Sequence, residues 1–525
     1  EFEMPNLVDC SAAEWESVLP GILPPYERIP PGINLAPLKA YQKAIRRNVD
    51  HGFIPGFCSI LISGDQVLHV DAYGFADIER RSPMRTDTLV RIYCMGKSAV
   101  AVALMVLVEQ GRCKLEDSVA KFIPEFTNVR VVANSDNDAA SSNDPPARQV
   151  PTLKQLLSHV SGLGYGKELA QEPEGPAERS YQALVQGVEL GLVTSIDDFC
   201  SRLASVPLRR QPGDGFEYSH GLDVIGRVIE VASGQPLDRF LEEALFQPLG
   251  MVDTGFCVPA SKLPRLAAVY GSIETATRLD EPSKKQTVEH PWSLVRLDGS
   301  SPEDSCWAEG QHCPVLSGGG LVGNNRGGLV STLNDYARFC LMLMRGGRIP
   351  GKSTDDRILR ESTVREMVSK DWLTDCLGRQ QVNDGGMSGL SAALGARVGW
   401  NALGEIGVED DASKLGPDAY EFTEYGYAGV AETFWSVNPQ RNLITLWFTQ
   451  QVDNHSWTTQ EANLWIAGRK AVAGVAKRPA AHCGLISEAQ KGPGENKDRS
   501  RSPPRRRVMG KRLSGKQPSR INDVH

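Results

Sequence analysis

The stretch Arg91-Ile92-Tyr93-Cys94-Met95-Gly96-Lys97-Ser98 runs straight into Ala99-Val100-Ala101-Val102-Ala103-Leu104-Met105-Val106-Leu107-Val108-Glu109-Gln110, with Gly111 behind it. Ala, Leu and Met favour helix and glycine stops it, so the spacing predicts a helix starting near Cys94 and ending at Gly111. Lys97, three residues on, then shares a helix face with Cys94 about one turn away. A side chain at the helix start meets unpaired backbone N–H groups and the positive end of the helix dipole. A neighbouring lysine takes the proton of such a group or stabilises its anion. The pattern is Ser-x-x-Lys with cysteine in place of serine. A thiol gains more from this setting than a hydroxyl, because its ordinary pKa of about 8.5 falls by several units beside a cation at a helix start. A second copy, Ser118-Val119-Ala120-Lys121, lies in a short amphipathic segment closed by Pro124 and reads as structural.

Two further stretches carry chemistry. In Gln211-Pro212-Gly213-Asp214-Gly215-Phe216-Glu217-Tyr218-Ser219-His220 the Pro-Gly-Asp-Gly cluster is a turn. Leu222, Ile225, Val228 and Ile229 then show helical spacing from Gly221 to Ser233. Tyr218 thus stands on a loop entering a helix, and a tyrosine beside a lysine works as a general base. The third stretch is Glu424-Tyr425-Gly426-Tyr427-Ala428-Gly429-Val430-Ala431-Glu432-Thr433-Phe434-Trp435-Ser436-Val437, followed by Leu443 to Gln450. It reads as two antiparallel strands joined by a turn at 438–442. Small residues ahead of the first strand let its backbone approach a ligand. An N–H there, with the one on the nucleophile, makes an oxyanion hole.

Together these stretches resemble the β-lactamase-related serine hydrolases, above all the family VIII carboxylesterases and relatives of the lovastatin-type acyltransferase. The resemblance spans roughly residues 35–470. Pro151-Thr-Leu-Lys-Gln-Leu-Leu-Ser-His-Val-Ser-Gly-Leu163, Phe246-Gln-Pro-Leu-Gly-Met-Val-Asp-Thr-Gly-Phe256, Gly318-Gly-Gly-Leu321 and Gly328 to Phe339 add to it. It implies an α/β (α+β) fold of the β-lactamase/transpeptidase type, with an antiparallel sheet flanked by helices and a mainly helical region. It implies that Cys94 holds the nucleophile position, with Lys97 and Tyr218 as the base pair. Tyr427-Ala428-Gly429 becomes the third box and Val430 the second oxyanion N–H. His220 stands near substrate, where β-lactamases carry asparagine. Four departures bear on the chemistry: Cys94 itself, Gly96 in the first helical turn, the methyl of Ala428, and the negative charge that Glu432 brings toward the site.

Composition fits a large globular chain: 525 residues, 41% hydrophobic and 23% charged. No run reaches the 18 to 20 apolar residues of a membrane span. The chain begins Glu-Phe-Glu-Met-Pro, without the charged start and apolar core of a signal peptide. The first residue is not methionine, so export stays open. Eleven scattered cysteines with no C-x-x-C favour a reducing, cytoplasmic setting. Cys306, His312 and Cys313 lie close in sequence but lack the spacing and fourth ligand of a zinc site. With no Gly-x-Ser-x-Gly elbow, Walker loop or dinucleotide fingerprint, no metal and no cofactor is expected.

Three regions follow: a proline-containing lead over 1–34, a catalytic-type domain over 35–470, and a basic tail over 477–525. Segments 273–312 and 377–424 read as irregular inserts that roof the cleft in this superfamily. The tail carries 13 Lys/Arg against 4 Asp/Glu and the run Arg499-Ser-Arg-Ser-Pro-Pro-Arg-Arg-Arg507. Its composition is that of a disordered segment. A nuclear address or a nucleic-acid or acidic partner is the lesser reading of the tail, since no aromatic residue is interleaved for base stacking. The expected partner of the body is a small ester or amide. Two functional readings stand at this level: an acyl hydrolase or acyltransferase working through an acyl-enzyme on Cys94, and a binding protein that keeps the cleft without turnover.

Overall fold

The computed structural model describes residues 19, 22–23, 32–64, 66–132, 144–166, 176–272, 294–299, 301–305, 307–309, 315–319, 328–377, 398–407, 424–452, 464 and 467–472. The tail, most of both inserts and the Cys306/His312/Cys313 group lie outside them. Contacts divide the chain into residues 1–485 and 486–525, the second wholly outside the described residues.

The strands are β1 (Gly56–Ser63), β2 (Gln66–Asp77), β3 (Ser82–Pro83), β4 (Val90–Arg91), β5 (Tyr270–Ser272), β6 (Leu294–Arg296), β7 (Val330–Ser331), β8 (Val398–Trp400), β9 (Glu405–Gly407), β10 (Glu424–Gly429), β11 (Thr433–Asn438) and β12 (Leu443–Phe448). Eight of them form one antiparallel sheet in the order β3-β2-β1-β12-β11-β10-β9-β8. N-terminal and C-terminal strands therefore meet at its centre, where Ile60 of β1 faces Leu446 of β12. Two short pairs, β4 with β7 and β5 with β6, lie outside this sheet.

Period-two alternation splits the sheet's side chains between two layers. Phe57, Leu61, Phe434 and Trp447 pack with Leu38, Tyr41, Ile45 and Val49 of helix α1 (Ala36–Asp50). Ile60, Ile62, Trp435 and Phe448 face the larger core. That core holds helix α2 (Gly96–Glu109), whose residues from Val100 to Met105 are all fully buried. A helix apolar on every side has to be enclosed. Helix α3 (Gly221–Ser233) packs against α2, and helix α4 (Leu333–Met344) lays Tyr336 and Phe339 against Trp435.

The predicted helix at 221–233 is present with the same bounds, and the one expected between Cys94 and Gly111 runs from Gly96 to Glu109. The third stretch differs. It forms two strands, β10 and β11, joined by a tight turn at Val430-Ala431-Glu432 where Glu432 takes φ +54°. The segment read as a lead contributes Leu19 and Leu23 to the main core. Among the described residues no helix is long and apolar enough to cross a membrane.

Candidate active site

Cys94 sits in a single 3-10 turn, Tyr93–Met95, that leads into α2. Tyr93 before it takes φ +45°, a left-handed conformation that costs a non-glycine residue about 1–3 kcal/mol. The surroundings enforce it. Gln450 clamps Arg91 by accepting from its N (2.9 Å) and donating to its O (3.1 Å). Leu329 O accepts from Ile92 N at 3.0 Å, and Met95 O accepts from Tyr336 at 2.8 Å. The Arg91 guanidinium, fully buried, pairs with Asp298 at 2.7 Å and lies over Trp307. Cys94 is thus presented on a braced, strained turn and is 7% exposed.

Tyr218 reaches the same point from the loop ahead of α3. Its phenol is held well above its ordinary pKa of 10, first by burial, then by the charges of Cys94, Tyr427 and Tyr165 and a side-chain hydrogen bond with Cys94. Tyr218 therefore carries its proton at neutral pH. Tyr427 on β10 donates to the Tyr218 hydroxyl at 3.0 Å. The Lys97 ammonium lies 5.0 Å from the centre of the Tyr218 ring and 5.5 Å from that of Tyr165, and donates to Gly319 O. The residues expected at the site from three distant stretches, Cys94, Lys97, Tyr218 and Tyr427, thus converge.

Gly429 follows at the end of β10, where it has no room for a side chain. A Cβ there would stand 2.3 Å from Thr433 Oγ1 and 2.6 Å from Ile92 O. The third box therefore lies directly against the turn of Cys94. Val430 begins the turn after it and is partly exposed. The Ala428 methyl packs on the α1 side of the sheet, opposite Tyr427, so it does not crowd the site as the sequence suggested. Glu432 also departs from expectation. It is 1% exposed, and burial raises its carboxyl to about 8, so near neutral pH it carries a proton and brings no charge.

His220 is enclosed. It is 1% exposed, stacks on Tyr165 and pairs through Nδ1 with Asp223 Oδ2 at 2.9 Å. The second Ser-x-x-Lys is structural: Ser118 caps a short 3-10 turn and Lys121 pairs with Asp117.

Three residues of the site escaped the sequence reading. His159, fully buried at φ +56°, stacks on the Tyr218 ring at 4.6 Å and accepts from Ser219 N at 3.1 Å through Nδ1. Burial, then the charge of Lys97, depress its pKa well below 6.5, so the ring stays neutral. With Nδ1 accepting, its proton sits on Nε2. Tyr165 and Trp400 complete an aromatic wall around Tyr218, at centroid distances of 5.0 and 6.4 Å. His159 lies in Ser158-His-Val-Ser-Gly, a segment that signalled kinship without signalling a role.

Known proteins share this architecture. A Mycobacterium tuberculosis protein, Rv1367c, is 31% identical over 442 residues, covering 83% of this chain and 95% of its own. Esterase EstB of Burkholderia gladioli is 33% identical over 54% of this chain and 69% of its own length. Among solved structures, simvastatin synthase from Aspergillus terreus superposes with a TM-score of 0.61 at 21% identity, covering 83% of this chain and 98% of its own. EstCE1, described as a hydrolase with promiscuous acyltransferase activity, gives a TM-score of 0.57 at 23% identity, covering 83% and 98%. The beta-lactamase family model matches residues 42–468, most of the sequence. The chain belongs to the beta-lactamase family, within the superfamily of hydrolases and acyltransferases built on that fold.

Proposed function

We propose that the protein is an acyl hydrolase or acyltransferase that cleaves small esters through a thioester-linked acyl-enzyme on Cys94. The observation that carries this reading is the row Cys94–Tyr218–Tyr427 with the Lys97 ammonium over the Tyr218 ring. A cleft that only binds has no use for a nucleophile, a proton donor and a cation aligned on one point.

The Cys94 thiolate attacks the ester carbonyl carbon, a C–S bond forms, and the carbonyl electron pair moves to oxygen. The backbone N–H groups of Cys94 and Val430 receive that oxyanion. Collapse must then expel an alkoxide in competition with the thiolate, the better leaving group. Tyr218 decides the contest by giving its proton to the departing oxygen as the C–O bond breaks. The resulting phenolate, beneath the Lys97 charge, takes a proton back from the water or alcohol that attacks the thioester. The acyl group leaves on that oxygen and the thiolate is restored.

The leaving group supplies the test. A p-nitrophenolate departs without a proton, whereas an aliphatic alkoxide needs one. Tyr218→Phe should cost an ethyl ester about 10²-fold or more in kcat, the scale of a general acid, and a p-nitrophenyl ester only a few-fold. Equal losses on both would remove Tyr218 as the acid. Intact-mass analysis should show one acyl adduct on the native protein and none on Cys94→Ala. If the native protein and Cys94→Ser are both inert and unacylated, the cleft binds without turning over.

A further inference from the structure

Lys97 is 2% exposed, and its ammonium donates to the backbone carbonyl of Gly319. Gly319 belongs to a turn that one side chain holds. Asp223, fully buried on α3, accepts from Ser317 Oγ and, at 2.9 Å, from Gly319 N through Oδ1. Its other oxygen takes His220 Nδ1 at 2.9 Å. The turn has no slack on either side. A Cβ on Gly319 would stand 2.6 Å from Asp223 Oδ2, and one on Gly318 would stand 2.7 Å from Leu222 O and 3.1 Å from Val100 Cγ2. It is pressed between α2, which carries Lys97, and α3, which carries Asp223.

We infer that Asp223 is a positioning residue that fixes the Lys97 ammonium over Tyr218 by holding the Ser317–Gly319 turn. The interposed carbonyl is the informative part. A buried carboxylate paired directly with Lys97 would neutralise much of its charge at short range. A neutral carbonyl anchors the ammonium and leaves that charge available to Cys94 and Tyr218. Burial by itself would raise the Asp223 pKa, but the hydrogen bond and charge of His220, the charge of Lys97 and the Ser317 hydroxyl bring it below the ordinary value. Asp223 is therefore an anion at neutral pH with both oxygens committed. This inference uses the proposed chemistry only to give Lys97 a task, and its test does not require turnover.

The test is the alkylation rate of Cys94 by iodoacetamide at pH 7.5, followed by peptide mass analysis on the full chain. The variants are Asp223→Ala, Asp223→Asn and Lys97→Met, with each Asp223 variant also made in the Lys97→Met background. Removing the Asp223 charge alone would speed formation of the thiolate, so a slowing reports lost geometry. Asp223→Ala should slow alkylation about three- to ten-fold. Asp223→Asn keeps an acceptor for Ser317 and Gly319 and should recover most of the rate. In the Lys97→Met background Asp223→Ala should have no further slowing effect. An unchanged or faster rate in Asp223→Ala, or a slowing that persists without Lys97, overturns the inference. A loss of melting temperature with native alkylation of the folded fraction also overturns it, since it marks a merely structural role. If Cys94 resists iodoacetamide in every variant, the crystal structure of Asp223→Ala decides. Loss of the Lys97–Gly319 contact supports the inference and its retention rejects it. Absence of ester cleavage throughout bears on the proposed function and leaves this result standing.

Discussion

Single residues set the chemistry of this site, and Glu432 is the one with a stability signature. It occupies a strained turn at φ +54°, is 1% exposed, and its Oε1 has no hydrogen-bond partner among the described residues. Burial raises its pKa from 4.5 to about 8. The folded chain thus holds this proton where the unfolded chain has released it. The contribution to stability is full below pH 4.5 and is lost as pH rises through 8, at a cost on the order of 5 kcal/mol. Glu432→Gln should match the native protein near pH 5 and exceed it at pH 9, as urea unfolding at the two pH values would show. Parallel pH dependence in both proteins would mean that Glu432 is charged and solvated in the fold. His159 shows the opposite balance, since burial keeps its imidazole neutral and lets it serve Tyr218 by stacking and by accepting the Ser219 N–H. His159→Ala removes both contacts and should lower kcat on alkyl esters by more than ten-fold with KM nearly unchanged. A rise in KM alone would place His159 in substrate binding.

At the scale of elements, the site depends on how close β10 comes to the turn ahead of α2. Gly429 is the point of closest approach, with a hypothetical Cβ 2.6 Å from Ile92 O. Gly429→Ala must push the strand from the turn or distort both, and the proposed oxyanion pocket lies between them. The expected outcome is a loss of 10²-fold or more in acylation rate, comparable to removing an oxyanion donor, with about 1–3 kcal/mol of destabilisation from the forced contact. Native acylation kinetics in that variant would show that β10 contributes no oxyanion donor. The same geometry explains what sequence could reveal. Cys94 and Lys97 were legible because a separation of three residues is a local relation, and α2 was legible because its apolar run ends at glycine. The break between β10 and β11 was not legible. Val430-Ala431-Glu432 has no Asn-Gly or Gly-Gly signal, and tertiary packing, not turn chemistry, holds Glu432 at positive φ. His159 and Asp223 were hidden for a related reason. Their roles arise from partners 60 and 96 residues away, Ser219 and Gly319 respectively, and no local period encodes such distances.

Across the whole molecule, charge is unevenly divided. The chain carries −7 in total, yet residues 477–525 hold 13 Lys/Arg against 4 Asp/Glu, which leaves −16 for residues 1–476. Leu464, Ala467, Ala471 and Val472 bring the last described residues onto the α1 layer, and Asn34 N donates to Ala471 O at 2.8 Å. A polar, charged segment rich in Pro, Ser and Arg has little apolar surface to bury, so removing it should cost the fold little. Truncation after Ala476 should leave the melting temperature within about a degree of the full chain and ester cleavage unchanged. The one property expected to move is adhesion to polyanions. Nine surplus positive charges along one stretch of sequence bind an anionic matrix at low salt and release it as salt screens the contact. The full chain should therefore be retained on heparin at low ionic strength and eluted by moderate salt, while the truncated chain, at −16, should flow through. A drop of several degrees in melting temperature on truncation would show instead that the tail packs on the body, and equal heparin retention would assign the adhesion to the body.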